Sequence, residues 1–434
     1  MKFTLSNNQE IWQMKFLFTL ILTLFASDLL ASELPMAKPE DVGFSSERLQ
    51  KISEFTQRAV DEGRHAGFVT LVARHGKIVH FNAVGQQGID NDQPMAKDTL
   101  FRIFSMTKPV TAVAMMMLYE EDKFQMNDPV SKYLPELANL TLFRDGEATD
   151  ESFNPTIEQL LTHTAGFTSG YRPDTEVVDG LYRDAELFAG ADLNDFVSKL
   201  AKLPLSFEPG TRYHYSVAFD VLGAIIEKLS GQSLDVFFRE RIFLPLEMHD
   251  TFFSVPDEKL DRLASNHYWD REQSALMLPP PEVARSYSGV TLFSGGGGLV
   301  STAMDYMVFC EMLRNGGSYN GIRILGPKTI QYMTADHLTP EVRLNGATDF
   351  PESHLYKGQS NGLGFGVMVE PALSEVISSA GAYSWGGAAG TKFWIDPEED
   401  LVAILMTQLM WAPIDTRYQM KIATYQALTE LGSD

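Results

Sequence analysis

Segments patterned as strands stand near both ends of this chain and segments patterned as helices fill the space between, which leaves few folds open. Gly67-Phe-Val-Thr-Leu-Val-Ala-Arg, a turn at His75-Gly76 and Lys77-Ile-Val-His-Phe-Asn-Ala-Val-Gly read as a β-hairpin. Far downstream, Gly364-Phe-Gly-Val-Met-Val, Gly390-Thr-Lys-Phe-Trp-Ile and Leu401-Val-Ala-Ile-Leu-Met-Thr repeat the pattern, with Asp396-Pro-Glu-Glu-Asp as a turn. Apolar residues at helical spacing mark Ser45 to Arg64, where Leu49, Ile52, Phe55 and Val60 fall near one face. The same signal covers Thr107 to Glu121, Ile157 to Thr162, Leu193 to Ala201, Val217 to Leu229, Thr302 to Arg314 and Ile414 to Leu431. The expected fold is α/β of the α+β type: one antiparallel sheet from N- and C-terminal segments, flanked by helices, with an inserted, mainly helical subdomain. Residues 32–434 are read as a single domain, with 32–100 and 295–434 forming the α/β part and 101–294 mainly the helical part.

Composition narrows the partners. A 434-residue chain that is 44% hydrophobic and 11% aromatic can fill one large core. Its 35 basic and 57 acidic residues leave a net charge of −22, which argues against nucleic acid and anionic membrane surfaces. Cys310 is the single cysteine, so no intramolecular disulfide forms, and without a Cys/His cluster there is no zinc signature and no metal is expected. Its place in Asp305-Tyr-Met-Val-Phe-Cys-Glu-Met-Leu reads as a helix core position. At the N-terminus, Met14-Lys15, the apolar run Phe16 to Ala26 and Ser27-Asp-Leu-Leu-Ala-Ser match a positive region, a hydrophobic region and a small-residue cleavage site. Residues 1–31 are read as a signal peptide region with Met14 the better initiator and cleavage near Ala31, and the protein as exported, periplasmic or secreted. The run is short for a stable membrane span, and no cysteine follows it for lipid attachment. Oligomeric state has no signal in the sequence.

Chemistry concentrates at Ser105-Met106-Thr107-Lys108, within Phe101-Arg-Ile-Phe-Ser-Met-Thr-Lys-Pro-Val. An S-x-x-K tetrapeptide opening a helix puts hydroxyl and amine on one face, with the free N–H groups of the first turn close by. Lysine, with an ordinary pKa of about 10.4, acts as a base near neutrality only if burial or a nearby cation depresses that value. Phe101, Ile103, Phe104, Met106 and Val110 are placed to exclude water from Lys108. Pro109 has no N–H to offer the Ser105 carbonyl, so the first turn is expected to be irregular. A second feature, Glu208-Pro-Gly-Thr-Arg-Tyr-His-Tyr-Ser-Val-Ala-Phe-Asp, sets Tyr215 just before a helix, where a phenol can relay protons. Tyr213 competes with it in register. In a third, Trp385-Gly-Gly-Ala-Ala-Gly-Thr-Lys-Phe-Trp-Ile, glycines at a strand's start let backbone N–H groups approach a bound carbonyl. Gly295-Gly-Gly-Gly-Leu-Val-Ser-Thr lacks the ending of a phosphate loop and reads as a backbone turn feeding a helix capped by Ser301 or Thr302.

In this order and spacing the three features resemble the serine hydrolases related to class C β-lactamases and D-alanyl-D-alanine peptidases, especially the family VIII carboxylesterases. The resemblance covers residues 40 to 430 and takes in Pro39-Glu-Asp-Val-Gly-Phe, Leu160-Leu-Thr-His-Thr-Ala-Gly, Ile226-Glu-Lys-Leu-Ser-Gly and Gly297-Gly-Leu-Val-Ser-Thr. It implies a β-lactamase/penicillin-binding-protein-like fold with Ser105 as nucleophile, Lys108 as its base partner and Tyr215 as proton relay, working without cofactor. It further implies an oxyanion hole from the backbone N–H groups of Ser105 and Ala388. Whether Lys108 or Tyr215 takes the first proton stays open here.

Two departures from the family pattern bear on substrate. The Y-x-N motif reads Tyr215-Ser216-Val217, so Val217 replaces an amide that contacts polar substrates. The K-T-G motif reads Trp385-Gly386-Gly387, an aromatic wall in place of a cation that engages a carboxylate. Lys392 could supply that charge, but along an extended strand it would lie about 20 Å away, at roughly 3.3 Å per residue. Ser384, in the broken elbow Ala382-Tyr-Ser-Trp-Gly, and His163, as a triad member, are weaker candidates; for His163 a loop-fixing hydrogen bond fits better. His214 lies beside the site, and Phe167, Tyr171, Tyr287 and Phe293 are candidates for an apolar pocket. The expected activity is hydrolysis of small, short-chain acyl esters through an acyl-serine. A β-lactamase or D-amino-acid peptidase, an acyltransferase, and a binding module for cell-wall fragments are the alternatives.

Overall fold

The computed structural model describes residues 34–144, 146–170, 177–280, 286–347 and 357–432. The signal-peptide reading and Tyr171 fall outside them. Met36 onward forms one compact unit.

Helix α1 (Ser46–Asp61) starts where Ser45 Oγ accepts from the Arg48 N–H at 3.3 Å, and it buries Leu49, Ile52, Phe55 and Ala59. Hairpin strands β1 (Gly67–Arg74) and β2 (Lys77–Gly85) follow. Helix α2 (Thr107–Glu120) and helix α3 (Ala218–Ser230) belong to the central, mainly helical stretch, and α4 (Ala303–Arg314) returns the chain to the sheet. Strands β3 (Gln359–Asn361), β4 (Gly366–Met368), β5 (Tyr383–Gly386), β6 (Lys392–Asp396) and β7 (Leu401–Met406) precede the last helix, α5 (Thr416–Tyr425). The seven-stranded sheet runs β3-β4-β5-β6-β7-β1-β2. Every neighbouring pair is antiparallel, and Val69 opposite Met406 through Arg74 opposite Leu401 joins the two ends of the chain.

Side-chain alternation sorts the sheet into two buried faces. Phe68, Val72, Trp394, Ala403 and Leu405 pack with Leu49, Ile52 and Phe55 of α1 and Met420 and Ala423 of α5. On the other face Phe393 meets Tyr306 of α4, ring centroids 5.2 Å apart.

Three expectations change. The glycines after Trp385 close a strand instead of opening one: β5 ends at Gly386, and Gly387 begins the turn to β6. That turn also brings Lys392 back opposite Gly386, far nearer than a single extended strand would carry it. The last helix is shorter than Ile414 to Leu431, because Asp415 caps it by accepting from the Arg417 and Tyr418 N–H groups, and the tail beyond Gln426 leaves helical geometry. A hairpin of Leu140–Arg144 with Glu147–Phe153 was not legible, since Glu147-Ala-Thr-Asp-Glu-Ser-Phe is mostly exposed and polar and shows no alternation.

The tail leaves α5 to meet a buried cation. Arg74, 1% exposed, donates from Nε to Glu399 O (2.9 Å), from Nη2 to Glu399 Oε2 (3.0 Å), and from Nη1 to Val42 O (3.2 Å) and Glu430 O (3.1 Å). One guanidinium thus ties the N-terminal segment, the β6–β7 turn and the C-terminal tail together. Arg74→Met should lower stability by about 3–5 kcal/mol, because Glu399 is left charged and buried. Urea unfolding reads this as a lower midpoint at unchanged slope, and an unmoved midpoint would remove Arg74 from the account.

Candidate active site

Ser105 lies in a 3-10 turn, Phe104–Met106, that leads into α2. The turn is tighter than a regular helix start, in keeping with the missing N–H of Pro109. Phe104 takes φ +45°, a left-handed conformation that side-chain-bearing residues rarely adopt. Neighbours hold the turn from outside: Tyr306 Oη donates to the Met106 carbonyl at 2.8 Å, and Phe101–Arg102 pairs with Val300–Ser301.

Lys108 is buried, and its amine donates to the Gly296 carbonyl at 2.7 Å and to Ser105 Oγ at 3.4 Å. Removal from water pushes its pKa down to about 7, against the opposing pull of the Asp220 carboxylate. The Gly-rich turn is what brings a carbonyl there. Gly295 and Gly296 press so closely on α3 that a Cβ on Gly295 would stand 2.5 Å from Phe219 O and one on Gly296 2.5 Å from Asp220 Oδ2. Asp220 Oδ1 accepts from Ser294 Oγ (2.5 Å) and the Gly296 N–H (3.1 Å), while Thr111 Oγ1 donates to Gly295 O (2.7 Å). The following helix is capped by Thr302, whose hydroxyl accepts from the Asp305 N–H at 3.1 Å. Asp220 was missed in sequence, although an acid inside the apolar run of α3 was a signal for it.

Tyr215 is also buried, in the loop before α3, and its hydroxyl stands between the other two groups. It lies 2.5 Å from Ser105 Oγ and is hydrogen-bonded by the Lys108 amine. Burial raises its pKa well above the ordinary phenol value, with Ser105 and Trp385 hydrogen bonds pulling the other way and Asp220 adding to the rise. Tyr215 therefore holds its proton at neutral pH while Lys108 can lose one. Three groups one hydrogen bond apart, with an amine poised near 7, can take a proton from a serine hydroxyl and return it.

Trp385 forms the adjoining wall, its ring 6.1 Å from that of Tyr215 and 6.3 Å from His163, near parallel to both. His163 packs 4.9 Å from the Tyr215 ring, and its Nδ1 is 3.3 Å from Ser216 Oγ, so it braces the Tyr215 loop as a loop-fixing residue would. Gly387 is required for close approach: a Cβ there would fall on the Ile103 carbonyl and Thr391 Oγ1. The strand end consequently sits against the Ser105 turn, while Gly386, one residue back, faces Lys392 and Arg417 on the other side of the sheet and Ala388 is exposed on the β5–β6 turn that follows. Val217, the N-cap of α3, is 4% exposed and presents little surface to a ligand.

Other sequence candidates lie elsewhere. Ser384 accepts from the Lys392 amine at 3.1 Å on the sheet face opposite Trp385, so Lys392 does not replace the missing cation at the Trp385 wall. Tyr213 is a core residue beside Leu338 and Val342. His214 is buried with Nε2 3.2 Å from Thr168 Oγ1. Phe167 and Tyr287 are buried packing residues, Tyr287 under the Arg102 guanidinium, and Phe293 packs on Phe253. Among the described residues no three His, Cys, Asp or Glu side chains converge as a metal site.

Fold and clustered side chains together define a serine hydrolase of the β-lactamase and penicillin-binding-protein fold. The chain belongs to the Beta-lactamase family, whose sequence pattern matches residues 52–419. It is 35% identical to Protein Rv1367c of Mycobacterium tuberculosis over 80% of this chain and 87% of that one. It is 31% identical to Esterase EstB of Burkholderia gladioli over 86% of this chain and 93% of the relative. The solved structure of EstCE1, a hydrolase with promiscuous acyltransferase activity, matches with TM-score 0.75 at 28% identity, covering 88% of this chain and 99% of that one.

Proposed function

We propose that this protein is a serine carboxylesterase that hydrolyses uncharged, short-chain acyl esters through an acyl-Ser105 intermediate. The observation that carries the reading is the Tyr215 hydroxyl set 2.5 Å from Ser105 Oγ and in hydrogen-bond contact with the Lys108 amine. As Ser105 Oγ bonds to the acyl carbon, its proton passes to Tyr215 Oη, and the Tyr215 proton passes to the neutral Lys108 amine. When the tetrahedral adduct collapses, the ester C–O bond breaks and the leaving alkoxide takes the proton back along the same path. Water then repeats the sequence on the acyl-enzyme and releases the acid. With a phenol pKa raised and an amine pKa near 7, Lys108 is the net base and Tyr215 the relay, which supports one answer to the order left open by the sequence. The developing oxyanion would be met by the N–H groups of Ser105 and Ala388.

Selectivity is read from the wall. Trp385, with Gly386 and Gly387 beyond it, sets an aromatic ring where a carboxylate-bearing substrate would need a cation. The similarity to EstB and EstCE1 supports the esterase reading, and transfer of the acyl group to an alcohol in place of water is compatible with the same intermediate. The pattern from Met14 to Ala31 supports export as the place of action.

The reading is tested by the ratio of kcat/KM values for p-nitrophenyl acetate and butyrate against nitrocefin and a D-Ala-D-Ala peptide. Esters should be preferred by about 100-fold or more, the order of effect of one lost charged contact. Faster turnover of nitrocefin or the peptide would replace the esterase reading with the lactamase or peptidase one.

A further inference from the structure

On the sheet face turned away from Ser105, α5, strands β3 to β6 and the segment 374–376 line a pocket of about 30 Å³. Lys392, Arg417 and Lys421 line it together with Ser384 and Gln359. Such a gathering of cations stands out in a chain of net charge −22. Register and helix pitch create it. Lys392 lies directly opposite Gly386 in the β5–β6 ladder, and its amine reaches Ser384 Oγ, two residues back on the same face. The missing side chain at Gly386 leaves room for both Lys392 and Arg417: a Cβ there would stand 3.5 Å from Lys392 Cδ and 3.5 Å from Arg417 Cζ. Lys421 follows Arg417 by one helical turn, is 9% exposed, and donates to Ser378 Oγ at 2.9 Å.

The acids facing this group from the surrounding elements have other duties. Asp415 caps α5 by accepting from the Arg417 and Tyr418 N–H groups at 3.0 and 3.1 Å. Asp396 accepts from Ser379 Oγ at 2.6 Å and from Tyr425 Oη at 2.5 Å. Among the described residues three basic side chains and no acidic one line the cavity.

We propose that this cavity is a binding site for a small oxyanion, a carboxylate or a phosphate, held between Lys392, Arg417 and Lys421. Burial, then the neighbouring Arg417 and Lys421, hold the Lys392 amine well below its ordinary pKa, and burial lowers Lys421 to about 8 against the pull of Asp396. A bound anion relieves that repulsion and draws protons onto both amines. Arg417 also donates to Gly387 O at 2.5 Å and Gly390 O at 3.4 Å, so the site backs directly on the turn that carries Ala388.

The test is isothermal titration calorimetry of the Ser105→Ala protein with sodium phosphate and with sodium acetate, ionic strength being held constant with sodium chloride. Binding does not depend on turnover, so the site and the esterase reading stand or fall separately. Saturable one-to-one binding is expected with at least one of the two salts, and which one distinguishes a phosphate from a carboxylate ligand. It should weaken about tenfold or more in Lys421→Gln and return in Lys421→Arg. It should also tighten as the pH falls from about 9 to about 7, with proton uptake. Absent saturation with both salts, or binding undiminished in Lys421→Gln, would overturn the site. Should Lys421→Gln fail to fold, the wild-type side chains decide alone, through saturation by phosphate or acetate above the chloride background.

Discussion

Ser105→Ala should abolish ester hydrolysis, lowering kcat for p-nitrophenyl butyrate by about 10⁴-fold or more while leaving the fold in place. The size follows from the mechanism: without the hydroxyl no acyl-enzyme forms, and only the oxyanion donors and substrate binding remain to assist water. Ser105 is partly exposed in its turn, so removal of one oxygen should cost less than about 1 kcal/mol of stability. Urea unfolding of the same preparation separates lost chemistry from lost structure. Retention of more than a few per cent of wild-type kcat by a folded protein would reject Ser105 as nucleophile.

Lys108→Met should have the second largest effect, about 10²- to 10⁴-fold on kcat/KM, the usual range for a positioned base. The wild-type profile carries its own signature. Lys108 must be neutral to accept a proton and has a pKa of about 7, so kcat/KM should rise with pH through that value and level off above it. Stability gives an independent readout with a defined sign. In the unfolded chain the amine keeps its proton up to about pH 10.4, whereas in the folded protein it releases it near 7. Folding between those limits expels a proton, and the Lys108 contribution to stability rises with pH across that window. Lys108→Met should remove that contribution along with activity. An unchanged pH dependence of stability would mean that Lys108 is not the desolvated amine described here.

Much of this was legible in the sequence because periodicity reports burial. Leu49, Ile52 and Phe55 marked the core face of α1, and the β1–β2 hairpin was bounded by its own turn at His75-Gly76. Ser105, Lys108 and Tyr215 were legible as residue types in order, but the order in space was not: nothing in the chain says that the phenol stands between hydroxyl and amine. The contacts that set Lys108 come from a turn almost 190 residues downstream and from an acid on α3, and long-range pairing leaves no local pattern. Lys392 shows the same limit from the other side. Counting residues along one extended strand put it far away, while the five residues between Gly386 and Lys392 turned the chain back and returned it to the opposite strand, on the face away from the site. The Phe104 conformation was equally invisible, since a left-handed phenylalanine is imposed by its surroundings and not by its own preference.

Covalent trapping decides whether Ser105, Tyr215 and Lys108 act as one relay. A serine-directed phosphonate incubated with the folded protein, followed by digestion and mass spectrometry, should place a single adduct on the peptide containing Ser105, with labelling suppressed in Lys108→Met and in Tyr215→Phe. An adduct on the peptide containing Ser384, or labelling of Ser105 at the wild-type rate in both variants, would contradict the relay.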